Sequence, residues 1–423
     1  MASNNQNLRK VIRTEDGELY YPRKVSPQLS FRGESLLRGR HLIHPYPAMF
    51  HPLLVDYLID EFAKDGDTIL DPFCGSGVVC LQASEKGYKS AGFDINPMAL
   101  LISDVKLQKY DKNLLLKELS ALENDIRNNK KVDAPNIKNI AYWYKDDVIK
   151  DLGRIRYVLK NKNYRYLKFF LAVFAFVCRN QSLTRNGEFK RFRIQSEKID
   201  DVKNEVFSKF FDHSKKMVDM IIDQPSPKQK CSLKFVDVAE HIPLNYDLVI
   251  TSPPYGDSRT TVAYGQYSSF GIEWTSDINP YSDITGNDVD KVGLGKKIPI
   301  DIRLLKYESL QDILRRIENI DSKRANEVLH FFNGYHKAIC NVVENLNAGG
   351  RVCFLVGNRT VKGIQVPMDQ ITASFFESLG MKFREILVRE ISNKVMPLRN
   401  SPSNVTGDTS NTMTKEYIVL FEK

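Results

Sequence analysis

The chain has 423 residues, with 61 Lys and Arg against 52 Asp and Glu, giving a net charge of +9. A hydrophobic fraction of 42% and a charged fraction of 27% suit a soluble globular protein, and the length suggests two domains or one core with a large insertion. The most apolar stretch, 167 to 178, contains Lys168 and falls well short of the roughly 20 residues of a membrane span, which argues against a membrane protein.

The six cysteines form no paired spacing, so free thiols in a reducing cytosol are expected, with no zinc site and no disulfide framework. The positive balance suits a partner rich in phosphates, although many soluble proteins are this basic without binding nucleic acid.

The first seven residues lack the apolar core of a signal peptide. Residues 1–40 are polar and basic and read as a flexible arm or a strand-rich flap. His44-Pro-Tyr-Pro47 is a proline-bracketed turn, and 52–63 places Leu54, Tyr57, Leu58 and Phe62 on one helical face. A Rossmann-like unit follows: strand 67–70, turn 73–77, helix 78–86, and strand 89–93 ending at Asp94. Asp94 lies 17 residues beyond Gly77, close to the roughly 20 expected between a glycine turn and a ribose-binding acid.

The third strand is expected at 233–238 and the fourth at 246–250. The stretch between the second and third strands is too long for one crossover helix. Its helical periodicity at 114–126 and 164–178 marks 106–232 as an inserted, mainly helical subdomain. A second long connection spans 256–324. An amphipathic helix at 325–346 follows, capped by Gly349-Gly350, and then strands at 351–356, 382–390 and 416–421. The expected fold class is α/β, an open Rossmann-like sheet with a large helical insertion.

Two motifs carry the chemistry. In Asp71-Pro-Phe-Cys-Gly-Ser-Gly77, a strand end runs into a glycine turn and a helix N-terminus. Gly75 and Gly77 permit close approach of a ligand, and the amides beyond them favour a carboxylate or phosphate. Asp71 suits a cationic amine and Asp94 a pair of ribose hydroxyls, a combination closer to S-adenosylmethionine than to a dinucleotide. A glycine turn that merely packs helix on strand is the alternative.

In Thr251-Ser-Pro-Pro-Tyr255, consecutive prolines stiffen the loop. The Ser252 hydroxyl and Pro253 carbonyl then offer acceptors to an exocyclic amine, and Tyr255 offers a face to an unstacked base. A base in such a pocket has to be extruded from its duplex.

The two motifs together resemble those of the DNA amino-methyltransferases, specifically the serine-type group acting on the N4 amine of cytosine. The likeness covers about 41–105 and 233–423. It implies a Rossmann-like S-adenosylmethionine-dependent fold, with Ser252, Pro253, Pro254 and Tyr255 catalytic. It further implies a cofactor site of Tyr46, Pro47, Asp71, Phe73, Gly75, Gly77, Asp94, Asp237 and Thr251. Adenine N6 enzymes usually carry Asp or Asn where this chain has Ser252. Many N4-cytosine enzymes place the catalytic loop before the cofactor turn, whereas here the turn comes first.

Two regions are candidates for reading DNA. Arg179, Arg185, Lys190, Arg191 and Arg193 in the insertion mix with amides suited to base edges, or form a solvated basic face. Arg259, Tyr264 and Gln266 follow the catalytic loop and are expected over the flipped base, unless that loop simply packs on the sheet edge. Arg359 either meets a DNA phosphate or forms a surface ion pair. The resemblance implies double-stranded DNA as partner, a cytoplasmic bacterial or phage-related setting, and a restriction endonuclease linked only functionally. The protein is expected to be a monomer or weak dimer. An RNA base-amine methyltransferase and a catalytically silent nucleic-acid-binding regulator are the rival readings.

Overall fold

Apolar residues on both faces of a short strand call for cover on both sides. Ile69 and Leu70 are both fully buried, as are Leu248 and Val249 on the neighbouring strand. The structure, a computed structural model, describes residues 12–14, 17–185, 189–257, 262–281, 288–391, 399–400, 410–411 and 413–423. It sorts these side chains into two cores.

The strands of the main sheet are β1 (Arg23–Val25), β2 (Thr68–Asp71), β3 (Lys89–Asp94), β4 (Cys231–Phe235), β5 (Tyr246–Thr251), β6 (Leu346–Val356), β7 (Lys382–Glu390) and β8 (Lys415–Glu422). They lie in the order β1-β7-β8-β6-β5-β2-β3-β4. Only β8 runs antiparallel to its neighbours.

Two helices cover one face, α1 (Pro52–Phe62) and α2 (Val78–Lys86). Leu54 and Leu58 of the first and Val79 and Ala83 of the second pack with Ile69 and Leu248. Leu70 and Val249 face the other way, into a core built on the later helices Glu308–Glu318, Ser322–Asn345 and Met368–Ser378.

The predicted insertion is helical. After α3 (Pro97–Leu107) come α4 (Lys112–Asn128), α5 (Asp146–Asn161), α6 (Leu167–Asn180) and α7 (Val206–Ile222). Their apolar core is shared with α3 and with α8 (Tyr264–Thr275), which follows the Ser252–Tyr255 loop. Trp274 of α8 is fully buried, edge-on to Tyr144 and Phe174 of the insertion. The buried Arg156 of α5 donates from Nε to the Trp274 carbonyl at 3.0 Å and pairs with Asp277 just beyond α8. The long connection after the Ser252–Tyr255 loop is thus the seat on which the insertion rests.

Three details depart from the sequence expectations. The third strand is Cys231–Phe235 rather than 233–238, because it is an edge strand with alternating exposure that leaves the sheet before Asp237. The helix expected at 325–346 begins at Ser322, where the Asp321 carboxylate accepts from the Arg324 amide at 2.9 Å. Gly349-Gly350 does not cap that helix but lies within β6. The cap is the Lys423 ammonium, which donates to the carbonyls of Val343 (2.7 Å) and Leu346 (2.6 Å). Of the two readings of the N-terminal arm, the strand is realised where it is described: β1 lies parallel to β7, tied down by Arg23 Nε to the buried Asp369 at 2.7 Å.

No helix among the described residues is long and apolar enough to cross a membrane.

A core that the insertion shares with α3 and α8 should melt together with the rest of the chain. Trp274→Ala is expected to cost about 3–5 kcal/mol and to lower the midpoint of a single thermal transition. Calorimetry showing two separate transitions would mean that the helices fold independently.

Candidate active site

Parallel strands bring their carboxyl ends to one edge of the sheet, where ligands bind. Here β5, β2 and β3 are successive neighbours, ending in Thr251, Asp71 and Asp94. The two sequence motifs therefore meet, and a buried hydrogen bond joins them: Thr251 Oγ1 donates to Asp71 Oδ1 at 2.6 Å. The Phe73 amide donates to the same oxygen at 3.2 Å. Burial pushes the Asp71 carboxyl up to about 7 despite these two donors.

The turn after β2 is held open from behind. Gly75 (φ 48°) and Gly77 (φ 75°) are left-handed, and a Cβ on Gly77 would stand 2.7 Å from Ser103 Oγ. Ser103 Oγ donates to the Gly75 carbonyl at 2.8 Å, and the buried Lys106 Nζ to the Ser76 carbonyl at 2.8 Å. Burial lowers the Lys106 ammonium to about 7. Asp94 braces the turn from the front, accepting from the Gly75 amide at 2.9 Å and the Asn96 amide at 2.8 Å. Burial lifts this carboxyl to about 6 against the pull of both amides.

These elements enclose a cleft lined by Tyr46, Pro47, Asp71, Phe73, Gly75, Asp94, Asp237, Ser252, Pro254 and Tyr264. Gly77 and Thr251 support it from behind. Tyr46 stacks on Tyr264 with centroids 6.0 Å apart, and its hydroxyl accepts from Asn96 Nδ2 at 3.1 Å. Asp237 pairs with Lys296 at 2.6 Å.

Ser252 Oγ lies 3.1 Å from the Tyr255 hydroxyl. Beyond the loop, the buried Asp257 is bound by Arg324 Nη2 at 2.5 Å and by Arg359 Nη1 at 2.9 Å. Burial alone would raise this carboxyl, but the two guanidinium groups outweigh it and hold it down at about 2. Arg359 is thus neither a phosphate contact nor a surface ion pair, because Asp257 holds it inside.

Sequence reasoning passed over Asn96, Ser103, Lys106, Asp257, Lys296 and Arg324. The one usable signal was Asn96-Pro97, a helix cap followed by proline at the first helical position.

The residues read as DNA contacts divide by position. Arg179 is buried, donating to the Tyr267 carbonyl at 3.0 Å with its guanidinium 4.3 Å over that ring. Arg191 lies between Trp143 (4.6 Å) and Phe270 (4.4 Å), and Gln266 accepts from its amide at 3.3 Å. Arg193 covers Tyr142 at 4.2 Å. Arg185 is exposed and Lys190 half-buried, whereas Arg259 lies outside the described residues. Tyr264 belongs to the cleft itself.

The cleft fits a cofactor carrying an amine, a carboxylate and a ribose. The carboxylates of Asp71, Asp94, Asp237 and Asp290 line it, the glycine turn leaves its floor bare, and the buried Ser76 hydroxyl on its wall has no hydrogen-bond partner among the described residues.

Residues 10–104 match the family described as DNA methylase. The type II methyltransferase M.MvaI of Kocuria varians is 32% identical over 93% of this chain and 93% of its own length. M.AvaI of Nostoc sp., also a type II methyltransferase, is 24% identical over 81% and 79% respectively. Among solved structures, the rRNA methyltransferase aviRa from Streptomyces viridochromogenes overlays with a TM-score of 0.29 at 11% identity, covering 90% of this chain and 89% of its own.

A carboxyl whose folded pKa is raised binds more protons folded than unfolded, so stability falls as pH rises from the unfolded value of 3.8 to about 7. Asp71→Asn removes that loss, which amounts to up to about 1.4 kcal/mol per pH unit in that window. Without ligand, the variant should therefore melt progressively higher than the wild type between pH 5 and pH 7, with the gap constant above. A gap that does not change with pH would show that Asp71 ionises freely.

Proposed function

Because this chain belongs to the DNA amino-methyltransferases, we propose that it methylates the N4 amine of a cytosine flipped out of double-stranded DNA. The cofactor is S-adenosylmethionine, which when bound supplies an electrophilic methyl group. The observation that carries the reading is that Ser252 and Pro254 line the same cleft as Asp71 and Asp94.

In this reading Asp71 receives the cofactor's cationic amine and Asp94 its ribose hydroxyls. The turn amides near Gly75 and Gly77 receive its carboxylate. Asp237 approaches the adenine, while Tyr46, Pro47 and Phe73 pack on the rest. Ser252 Oγ and the Pro253 carbonyl accept hydrogens from the target amine and so aim its lone pair, which is positioning rather than strong base catalysis. The amine becomes acidic as its bond to carbon forms, so an acceptor at Ser252 is sufficient.

The base has to leave its stack to reach this depth. The insertion, 106–232, serves DNA recognition. Arg185 and Lys190 meet phosphates there, beside the exposed rings of Phe189 and Phe192. The biological role is protection of host DNA beside a restriction endonuclease, in the cytoplasm, by a monomer or weak dimer.

Mass spectrometry of nucleosides from cells expressing the chain should reveal N4-methylcytosine in DNA, absent with Ser252→Ala. N6-methyladenine would transfer the chemistry to adenine, and a mark confined to RNA would replace the substrate. Ser252→Ala should lower turnover by about 100-fold with little change in cofactor affinity. Asp94→Ala should weaken S-adenosylmethionine binding in calorimetry, and an unchanged affinity would remove its ribose role.

A further inference from the structure

Behind the catalytic loop a short polar chain runs away from the cleft. Ser252 Oγ lies 3.1 Å from the Tyr255 hydroxyl, which donates to Glu416 Oε1 at 3.1 Å. Glu416 sits on β8 directly opposite Arg389 of β7, whose Nε is 3.2 Å from Glu416 Oε2. The Glu416 side chain is 15% exposed and that of Arg389 7%. Ser252 lines the cleft, whereas Tyr255 and Glu416 do not. The tyrosine ring is fixed by packing, for a Cβ on Gly357 would stand only 2.7 Å from Tyr255 Cδ2.

Hydrogen bonds have a direction, and here one end sets it. A carboxylate facing a guanidinium can only accept. Tyr255 has one hydroxyl hydrogen and gives it to Glu416, so toward Ser252 it is an acceptor. Ser252 likewise has one hydrogen and gives it to Tyr255, so toward the cleft that it lines it can only accept. Were the chain reversed, the serine hydrogen would point at the amine and occupy the lone pair that must stay free. Burial also raises the Tyr255 phenol well above its ordinary pKa, so it remains a donor across the physiological range.

We propose that Glu416 is a positioning residue that sets the sense of this chain and makes Ser252 an acceptor toward the target amine. The inference rests on Ser252 facing that amine, as argued under Proposed function.

Glu416→Gln tests it with nearly the same side-chain shape. The amide oxygen turns to Arg389 and the amide nitrogen then donates to Tyr255, which reverses the chain. With unmethylated plasmid DNA and tritiated S-adenosylmethionine, kcat should fall about 10–100-fold with the cofactor KM unchanged, while loss of the charge facing the buried Arg389 lowers the melting temperature. In a Tyr255→Phe background, where the chain is already cut, Glu416→Gln should add nothing. In the ligand-free protein with 13Cζ-labelled tyrosine, the Tyr255 resonance, identified by its loss in Tyr255→Phe, should shift in Glu416→Gln.

A wild-type kcat in Glu416→Gln, an effect fully additive with Tyr255→Phe, or an unmoved resonance would each overturn the proposal. If Glu416→Gln does not fold, Tyr255→Phe decides alone, since full activity without the hydroxyl removes the chain. Ser252→Ala separates the two levels. If it retains full activity, the reading of the site itself fails. If it is inactive while Glu416→Gln is normal, only the role of Glu416 fails.

Discussion

The hydrogen bond from Thr251 to Asp71 joins two segments 180 residues apart in the chain. It exists because β2 and β5 are parallel neighbours whose ends coincide. Every other feature of the site depends on that adjacency. It sets the glycine turn beside the Ser-Pro-Pro-Tyr loop, so residues of both line one cleft. It also buries Asp71 with two protein donors, and that burial raises its carboxyl.

The site is held by buried charge. Asp257, two residues past Tyr255, is gripped by Arg324 and Arg359, which lie 67 and 102 residues further along the chain. Breaking such a pair leaves an uncompensated charge in the interior, so the loop is anchored firmly at its exit. Lys106 does the same for the turn at the other end, trading hydration of its ammonium for the Ser76 carbonyl. Asp71 and Asp94 run the opposite way: their burial is unfavourable until a ligand meets them. A rigid frame around two strained carboxylates is what a cofactor with complementary charge requires.

The helical insertion packs into the same body as the cleft. Its apolar faces close on α3 and α8, so the helix that lines the cleft through Tyr264 also supports the insertion through Phe270 and Trp274. Guanidinium groups at this seam lie over aromatic rings, where cation–π contact and hydrogen bonding fix them. Arg179 and Arg191 thereby join the two parts, and the exposed Arg185 lies outside the seam. DNA engaged by the insertion would be coupled mechanically to the wall of the cleft.

Local sequence was sufficient for much of this. The strand–turn–helix around Asp71 to Gly77, the acid ending β3 and the proline-stiffened loop at Ser252 were legible because each rests on short-range backbone preferences. The alternation of strands with helices likewise declared an α/β sheet, since period and punctuation are local properties. Charge, by contrast, carried no address. Whether an arginine meets solvent, a ring or a carboxylate depends on what the fold sets opposite it, so Arg179, Arg191 and Arg359 were legible only as basic residues. Asp257, Lys106 and Glu416 carried no motif at all; their partners come from strands and helices distant in the chain. The sequence by itself determined the chemistry on offer at the strand ends. Tertiary structure alone decided which buried charges hold it in place, because pairing is a property of space and not of order along the chain.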